Sequence, residues 1–202
     1  MLFLAFFLIN IKFVYTAEKF FLTADSISKN EADNTIKAEG NVNITNNQYK
    51  LKANEITYYL KEKKVFAKGN VIIIEKNTNV IYATEAELSS DLKSNFIKNI
   101  GVLLSDNSRL AASSAKSIKD SNKTIYSNVV FTKCNSCKEK SKDSVMWKLK
   151  AKKATHLKNS KIILYENVFL EAFNIPVLYV PIFYHPDPSV KNKTGLLTPK
   201  IS

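Results

Sequence analysis

Apolar and polar residues alternate with a period of two along most of the chain. The clearest face consists of Ile36, Ala38, Gly40, Val42 and Ile44. Lys37, Glu39 and two asparagines lie between these residues and take the opposite face. Because successive side chains of a β-strand point to opposite faces, this pattern predicts strands that each bury one face. Nothing after the N-terminal apolar run indicates a helix of useful length.

The alternating segments also repeat along the chain. Each unit begins with an alanine, at positions 24, 53, 83, 112 and 151, so the steps are 29, 30, 29 and 39 residues. Two units continue into Ala-x-Gly-Asn-Val. A three-residue step, as from Ala24 to Ile27, breaks the alternation and predicts a recurrent bulge or bend. The repeats predict an all-β fold, an open twisted β-jelly roll or sandwich built from antiparallel hairpins.

The two ends of the chain depart from the repeats. Residues 1–11 form an apolar run that becomes polar around Ala17, and such a run is shorter than the roughly 20 residues of a membrane span. We therefore predict a signal peptide over residues 1–17, with a buried N-terminal strand as the alternative. All five prolines follow residue 175. This predicts a jelly-roll domain over residues 18–174 and an extended proline-rich junction over residues 175–202.

The net charge of +12 makes an anionic partner plausible: nucleic acid, a phosphorylated lipid or an acidic surface. The excess is almost entirely lysine, since Arg109 is the one arginine, and a lysine-, asparagine- and isoleucine-rich composition also arises in AT-rich genomes. Arginine is the residue expected for reading bases. A basic nucleic-acid-binding β protein therefore remains an alternative that the composition disfavours.

The candidate chemistry favours no enzyme. Cys134 and Cys137 form a Cys-x-x-Cys pair, but the motif lies between strands, without the helix that lowers a redox thiol pKa. A zinc site would need two more ligands, and His156 and His185 are too isolated to supply them. Three signatures of penicillin-binding enzymes occur in the wrong order, starting at residues 113, 105 and 193. We predict no catalytic residue, no metal and no cofactor.

The repeats resemble the periplasmic β-jelly roll of the organic-solvent-tolerance family of lipopolysaccharide-transport proteins. This resemblance covers roughly residues 20–170. The motifs that follow, Ile-Pro-Val-Leu-Tyr-Val-Pro-Ile-Phe from residue 175 and Thr-Gly-Leu-Leu-Thr-Pro from residue 194, resemble the junction between jelly roll and barrel in the LptD family of lipopolysaccharide-assembly proteins. The chain stops where the first barrel strand of that family would begin, so we expect a fragment, a truncated gene or a stand-alone domain.

The resemblance implies transport of lipopolysaccharide and its assembly at the outer membrane. The groove would shield the acyl chains of lipid A and pass them toward a barrel translocon. The implied partners are lipopolysaccharide, a periplasmic LptA-like bridge protein and, through the barrel, an LptE-like plug lipoprotein, with no nucleic acid. The implied location is exported, as a periplasmic domain at the cell outer membrane. A soluble LptA-like bridge is the alternative within this fold.

Three sets of residues follow from the alternation and the resemblance together. The predicted groove lining is Ile36, Val42, Ile44, Leu51, Val71, Ile73, Tyr82, Val102 and Leu104. Pro176 and Pro181 mark the junction. Pro199 matches a family proline that weakens pairing in the first barrel strand, beside a lateral gate for the lipid. Because relatives tie this domain to the barrel with disulfides, the resemblance makes Cys134 and Cys137 disulfide candidates, bonded to each other or to a following segment.

Overall fold

A computed structural model describes residues 20–47, 49–75, 79–90, 92–118, 121–133, 146–187 and 190. These residues form twelve β-strands. The strands are β1 (Phe21–Thr23), β2 (Ser26–Asn30), β3 (Thr35–Thr45), β4 (Tyr49–Tyr59), β5 (Lys64–Glu75), β6 (Val80–Ser89), β7 (Ser94–Leu103), β8 (Arg109–Ile118), β9 (Lys123–Thr132), β10 (Trp147–Leu157), β11 (Ile162–Ala172) and β12 (Ile175–Pro186). The all-β fold predicted from the alternation is confirmed.

All twelve strands belong to one antiparallel sheet, in which each strand from β3 to β11 pairs with the next one in the chain. Strands β1 and β2 both pair with β3, so together they act as one interrupted edge strand. Strand β12 pairs with β11 and forms the other edge. The sheet is therefore open, as predicted, with one edge at each end of the strand order.

The predicted bends lie along one line across the sheet. The odd-numbered strands from β3 to β11 each contain an asparagine with positive φ: Asn41, Asn70, Asn99, Asn128 and Asn167. Their spacing follows the 29-residue repeat until the longer last step. Asparagine tolerates the left-handed conformation better than most residues do, because its short side chain can hydrogen-bond locally. Asn41 donates to Asp25, between β1 and β2, and Asn99 and Asn128 donate to Thr84 and Ser113 on the preceding strands, at 3.0–3.2 Å.

The corners of β3 and β5 contain a glycine before the asparagine. Gly40 and Gly69 have φ of 75° and 76°. A Cβ at residue 40 would overlap the Asp25 carboxylate, and one at residue 69 would lie 2.8 Å from Nδ2 of Asn54. Both the conformation and the close approach of the preceding strand therefore require glycine here.

The corners divide the sheet into two layers. Layer A contains β2 and residues 35–39, 55–59, 64–68, 85–89, 94–98, 114–118, 123–127, 153–157, 162–166 and 182–186. Layer B contains β1 and residues 42–45, 49–53, 71–75, 80–83, 100–103, 109–112, 129–132, 147–151, 168–172 and 175–180. The layers face each other, since Phe131 of layer B contacts Tyr165 of layer A with ring centroids 6.3 Å apart. The core lies between them.

The boundary predicted after residue 174 stays a prediction, and the structure describes the first part of the predicted junction. Residues 175–186 form strand β12, which is paired with β11 along its length and belongs to the same sheet as the repeats. This edge strand tolerates proline because its outer side makes no ladder hydrogen bonds. The predicted signal peptide, residues 1–17, lies outside the described residues. Among those described, no helix is long and apolar enough to cross a membrane.

Candidate functional site

A continuous row of apolar side chains crosses layer B from one edge of the sheet to the other. Its members are directly opposite each other on adjacent strands, so they share the inner face. The row is Leu22, Ile44, Leu51, Ile73, Ile81, Val102, Leu110, Phe131, Leu149, Leu170 and Leu178. We call it the layer-B row. Its central members are buried or, as for Val102, half-buried, whereas Leu22 and Leu178 at the two edges are 38% and 54% exposed.

Layer A carries a matching row on its own inner face. This layer-A row is Ile27, Ala38, Ile56, Ala67, Ala86, Ile97, Ala115, Tyr126, Ala154, Tyr165 and Phe183. Up to β8 its members are aliphatic and four of them are alanine. From β9 onward three of the four are aromatic. The interior therefore changes from small aliphatic to aromatic lining toward β12.

A cavity of about 520 Å³ lies between the two layers. Its volume is within the range of about 300–1,000 Å³ typical of ligand sites. Near the corners it is lined by Ile97, Ile100 and Ala115, and along layer B by Ile81, Val102, Leu104 and Leu110. This lining can hold an apolar group out of water.

Polar side chains lie where the cavity reaches the strand ends farthest from the corners. Lys93, Lys158 and His156 come from layer A or its turns, and Glu75 and Asn79 from the opposite layer. His156 Nε2 lies 2.7 Å from the Asp187 carboxylate. Glu75 accepts a hydrogen bond from Asn79 at 3.3 Å. The cavity is therefore amphipathic, with an apolar floor at the corners and a polar mouth.

Two tyrosines pack between the layers, Tyr165 fully buried and Tyr126 partly buried. Burial raises the pKa of Tyr126, and the nearby carboxylates of Glu75 and Asp187 raise it further. Burial also raises the pKa of Tyr165, with smaller effects of Tyr126 and Asp187. Both phenols therefore remain neutral at physiological pH and act as large, partly polar packing groups.

An aromatic cluster closes the interior toward β12. Phe131 lies between Tyr165, Trp147 and His185, with ring centroids 6.3, 6.4 and 5.1 Å away. Nδ1 of His185 faces the Pro186 carbonyl at 2.7 Å, and since a carbonyl only accepts, this nitrogen carries the proton. When the ring carries only that proton, Nε2 accepts from the Tyr165 hydroxyl at 3.0 Å. His185 thus packs against Phe131 and Tyr165.

The structure brings most of the predicted groove residues to the inner face. Ile44, Leu51, Ile73 and Val102 are members of the layer-B row, and Leu104 lines the cavity. Val42 and Val71 lie one step closer to the corners and are 1% exposed. Ile36 is half-buried, two residues from buried Ala38.

Tyr82 was assigned to the groove wrongly. It is 49% exposed, and its neighbours Ile81 and Ala83 take the inner face. The period of two therefore sends Tyr82 to the outer face, where it is opposite Ile72 and Gly101. Sequence reasoning also missed Ile81, Leu110 and Phe131. The same alternation, counted outward from Ala83 and Ala112, would have found the first two.

Pro176 and Pro181, two of the three described prolines of the predicted junction, lie at irregularities of the edge strand. Pro176 is opposite Glu171, where the register of β11 and β12 shifts. Pro181 is near the corner at Asn167, between the paired residues Val180 and Ile182. At both points the ladder is interrupted, so a missing N–H costs little. Cys134, Cys137 and Pro199 lie outside the described residues, and their predicted roles stay predictions.

Within the described part of the chain, no group of three or more histidine, cysteine or acidic side chains could hold a metal ion. The strongest ion-pair cluster is structural. Glu171, 7% exposed, lies 2.8 Å from Lys150 and 3.3 Å from Lys148. The Lys150 hydrogen bond lowers the pKa of Glu171, burial opposes this, and Lys148 lowers it further.

No family model matches the chain. Among curated proteins, the chain is similar to the LPS-assembly protein LptD of Aliivibrio fischeri (strain ATCC 700601 / ES114), with 24% identity over 184 residues. The match covers 89% of this chain and 22% of the relative, so the chain spans about a fifth of that protein's length. The resemblance noted from the sequence is thereby confirmed.

Among solved structures, the chain matches LptH, the LptA-homologous periplasmic component of the lipopolysaccharide transport device of Pseudomonas aeruginosa. The identity is 11% and the TM-score 0.31, and the match covers 85% of this chain and 96% of LptH.

Proposed function

We propose that this chain is a lipid conduit for lipopolysaccharide transport and outer-membrane assembly, working without catalysis. The observation that carries the proposal is the layer-B row, which is apolar on eleven successive positions and emerges at both edges of the sheet. The layer-A row covers it from the other side. Similarity to an LPS-assembly protein supplies the class of lipid.

The physical need for such a conduit follows from the cost of exposing acyl chains. Each methylene buried from water contributes about 0.8 kcal/mol, so a chain of about a dozen carbons contributes on the order of 10 kcal/mol. A lipid cannot leave a membrane for water at that cost. It can move between equally apolar positions at little net cost, and the layer-B row provides successive positions of this kind.

The amphipathic cavity suggests how the lipid is oriented. Acyl chains fit the floor at the corners, where Ile97, Ile100 and Leu110 exclude water. The sugar-phosphate head then lies at the polar mouth beside His156 and Lys158. Such an arrangement keeps every charged group hydrated and every methylene buried.

The location and partners of the chain belong to the same proposal. We place it in the periplasm at the outer membrane, where it receives lipid from an LptA-like bridge at one sheet edge. The open edges β1–β2 and β12 are suited to such a neighbour, because their exposed ladders can pair with another strand. The barrel translocon and its LptE-like plug stay predictions from the sequence resemblance.

Adjacent residues of β6 test the conduit. A photoreactive side chain at Ile81 reaches the cavity, whereas the same group at Tyr82 points outward and serves as the matched control. In cells that make lipopolysaccharide, irradiation is expected to give a lipid adduct at residue 81 and little at residue 82. Immunoblotting for the slower-migrating adduct measures both.

Two outcomes would count against the conduit. Equal labelling at both positions would mean that lipid meets the protein nonspecifically. Absence of lipid at residue 81, with normal protein levels, would remove the interior as a lipid path.

A further inference from the structure

The layer-B row is aliphatic except at one position. Phe131 is its single aromatic member; the other ten are leucine, isoleucine or valine. Its neighbours in the row are Leu110 on β8 and Leu149 on β10. Phe131 is 4% exposed, so its ring fills space between the layers rather than facing solvent.

The Phe131 ring bridges the two layers. It contacts His185 at 5.1 Å and Tyr165 at 6.3 Å between ring centroids, and both of these residues belong to layer A. Tyr165 is fully buried and hydrogen-bonded to His185, so these two rings hold each other in place. Phe131 has no polar atom, and only packing holds its ring in position.

The interior differs on the two sides of this bridge. On the β8 side, Leu110 is 4% exposed and lines the cavity. On the β12 side lie Trp147, Leu149, Leu170 and Leu178, which we call the C-terminal bay. Three of these are only partly buried, and Leu178 is 54% exposed. The bay continues the row but opens at the β12 edge.

We propose that the C-terminal bay is a second acyl-chain site, and that Phe131 is the barrier a chain must displace to pass between the cavity and the bay. This inference rests on the proposed conduit function. The three leucines of the bay are aliphatic like the layer-B residues that line the cavity, and they continue the same row on the same face. An acyl chain is the occupant that matches this continuity, since it needs no hydrogen bond from the site.

The barrier role follows from the position of the ring. A polymethylene chain that follows the row must pass between Phe131 and the layer-A rings, which are already in contact. Rotation of the Phe131 side chain into the open bay would clear the path without breaking the hydrogen bond between Tyr165 and His185. Phe131 is therefore a positioning residue that controls how fast lipid moves along the row.

Photocrosslinking at β11 tests the bay. The full chain is purified with a photoreactive side chain at Leu170, in the bay, or at the adjacent outward residue Phe169, which is 44% exposed and serves as the control. A third protein carries the group at Val102, which lines the cavity. Purified lipid A with a radiolabelled acyl chain is the probe. Residues 102 and 170 are expected to give labelled adducts, and residue 169 few.

The barrier is tested by the rate at which radiolabelled lipid A leaves a preloaded chain for acceptor vesicles. Phe131→Leu matches the aliphatic row and is expected to speed release several-fold. Phe131→Trp enlarges the ring and is expected to slow release. Thermal unfolding of each variant shows whether the fold is kept, and Tyr165→Phe, which removes only the hydroxyl, is expected to change release much less than Phe131→Leu.

The outcomes separate this inference from the proposed function. Adducts at residue 102 without adducts at residue 170 would leave the conduit intact and remove the bay as a site. A crosslink from residue 170 to protein, either residues 191–202 or a second copy, would show another occupant and overturn the proposal. Equal release rates in the folded Phe131 variants would overturn the barrier role. Failure of labelling at residue 102 as well would instead contradict the proposed function.

Discussion

The same apolar row is closed in the middle of the sheet and open at its β12 end. Ile73 on β5 is 1% exposed, because β4 and β6 flank it and layer A covers it. Leu178 on β12 belongs to the same row but has a strand on one side only and is 54% exposed. The two side chains have equal volume and polarity. Their difference in burial is thus a property of the position in the sheet, and the edge is where an external apolar group gains most by binding.

The corners differ along the sheet in a related way. In β3 and β5 the inner residues on either side of the corner are four apart, as from Ala67 to Val71, and a glycine precedes the asparagine. In β7, β9 and β11 they are three apart, as from Tyr165 to Val168, and asparagine alone has positive φ. Both forms return the inner face to the inside after the bend. The fold therefore requires the correct phase across the corner rather than one particular turn.

The largest expected effect comes from truncating the row at its closed part. Ile73→Ala is expected to reduce the free energy of unfolding by about 2–5 kcal/mol, since it removes methylenes and leaves a cavity. Leu178→Ala at the open end is expected to cost only about 1 kcal/mol, because half of that side chain is already in water. Urea denaturation monitored by circular dichroism measures both. Similar losses of unfolding free energy in the two variants would contradict the expectation that the loss follows the burial of the side chain.

Corner substitutions come next in size. Gly40→Ala is expected to cost about 1–3 kcal/mol, because alanine is strained at φ near 75° and its Cβ meets Asp25. Gly101→Ala is the matched control in β7, where nothing lies within 4 Å of the added Cβ. There, alanine is expected to be neutral or to stabilise by about 0.4–1 kcal/mol. An equal loss of unfolding free energy in both variants would mean that the corner conformation does not cause the destabilisation of Gly40→Ala.

The smallest expected effect concerns charge at the β12 end. Because the pKa of Glu171 is lowered in the folded chain, its ion pairs stabilise the fold above its ordinary value near pH 4.5. That contribution is lost as the pH falls through the lowered pKa. Glu171→Gln is therefore expected to destabilise the fold at pH 7. It is also expected to make the free energy of unfolding less sensitive to pH between about 5 and 3, where carboxylates ordinarily titrate.

Glu166→Gln is the control for that charge effect. Glu166 lies 2.7 Å from Lys153, but both side chains are more than a third exposed, so solvent weakens the pair. Thermal unfolding across this pH range compares the two variants. A larger loss for Glu166→Gln than for Glu171→Gln would contradict the assigned role of burial.

Much of the interior was predictable because a strand alternates strictly. Ile44, Leu51 and Ile73 were placed correctly on one face, and the 29-residue repeat located the corners. Tyr82 does not belong to that face, because the alternation that places Ala83 inside sends Tyr82 outward. Phe131 was missed because nothing in the local sequence shows which inner residue touches the opposite layer.

The sequence by itself determined the strands, their phase, the corners and the family resemblance, since each depends on spacing within one or two neighbouring strands. Only the tertiary structure decided that β12 joins the sheet, that the layer-B row is buried at Ile73 and exposed at Leu178, and that Phe131 reaches Tyr165 and His185. These features depend on strands distant in sequence and on which side of each strand a neighbour lies. Alternation along one chain segment carries no information about either.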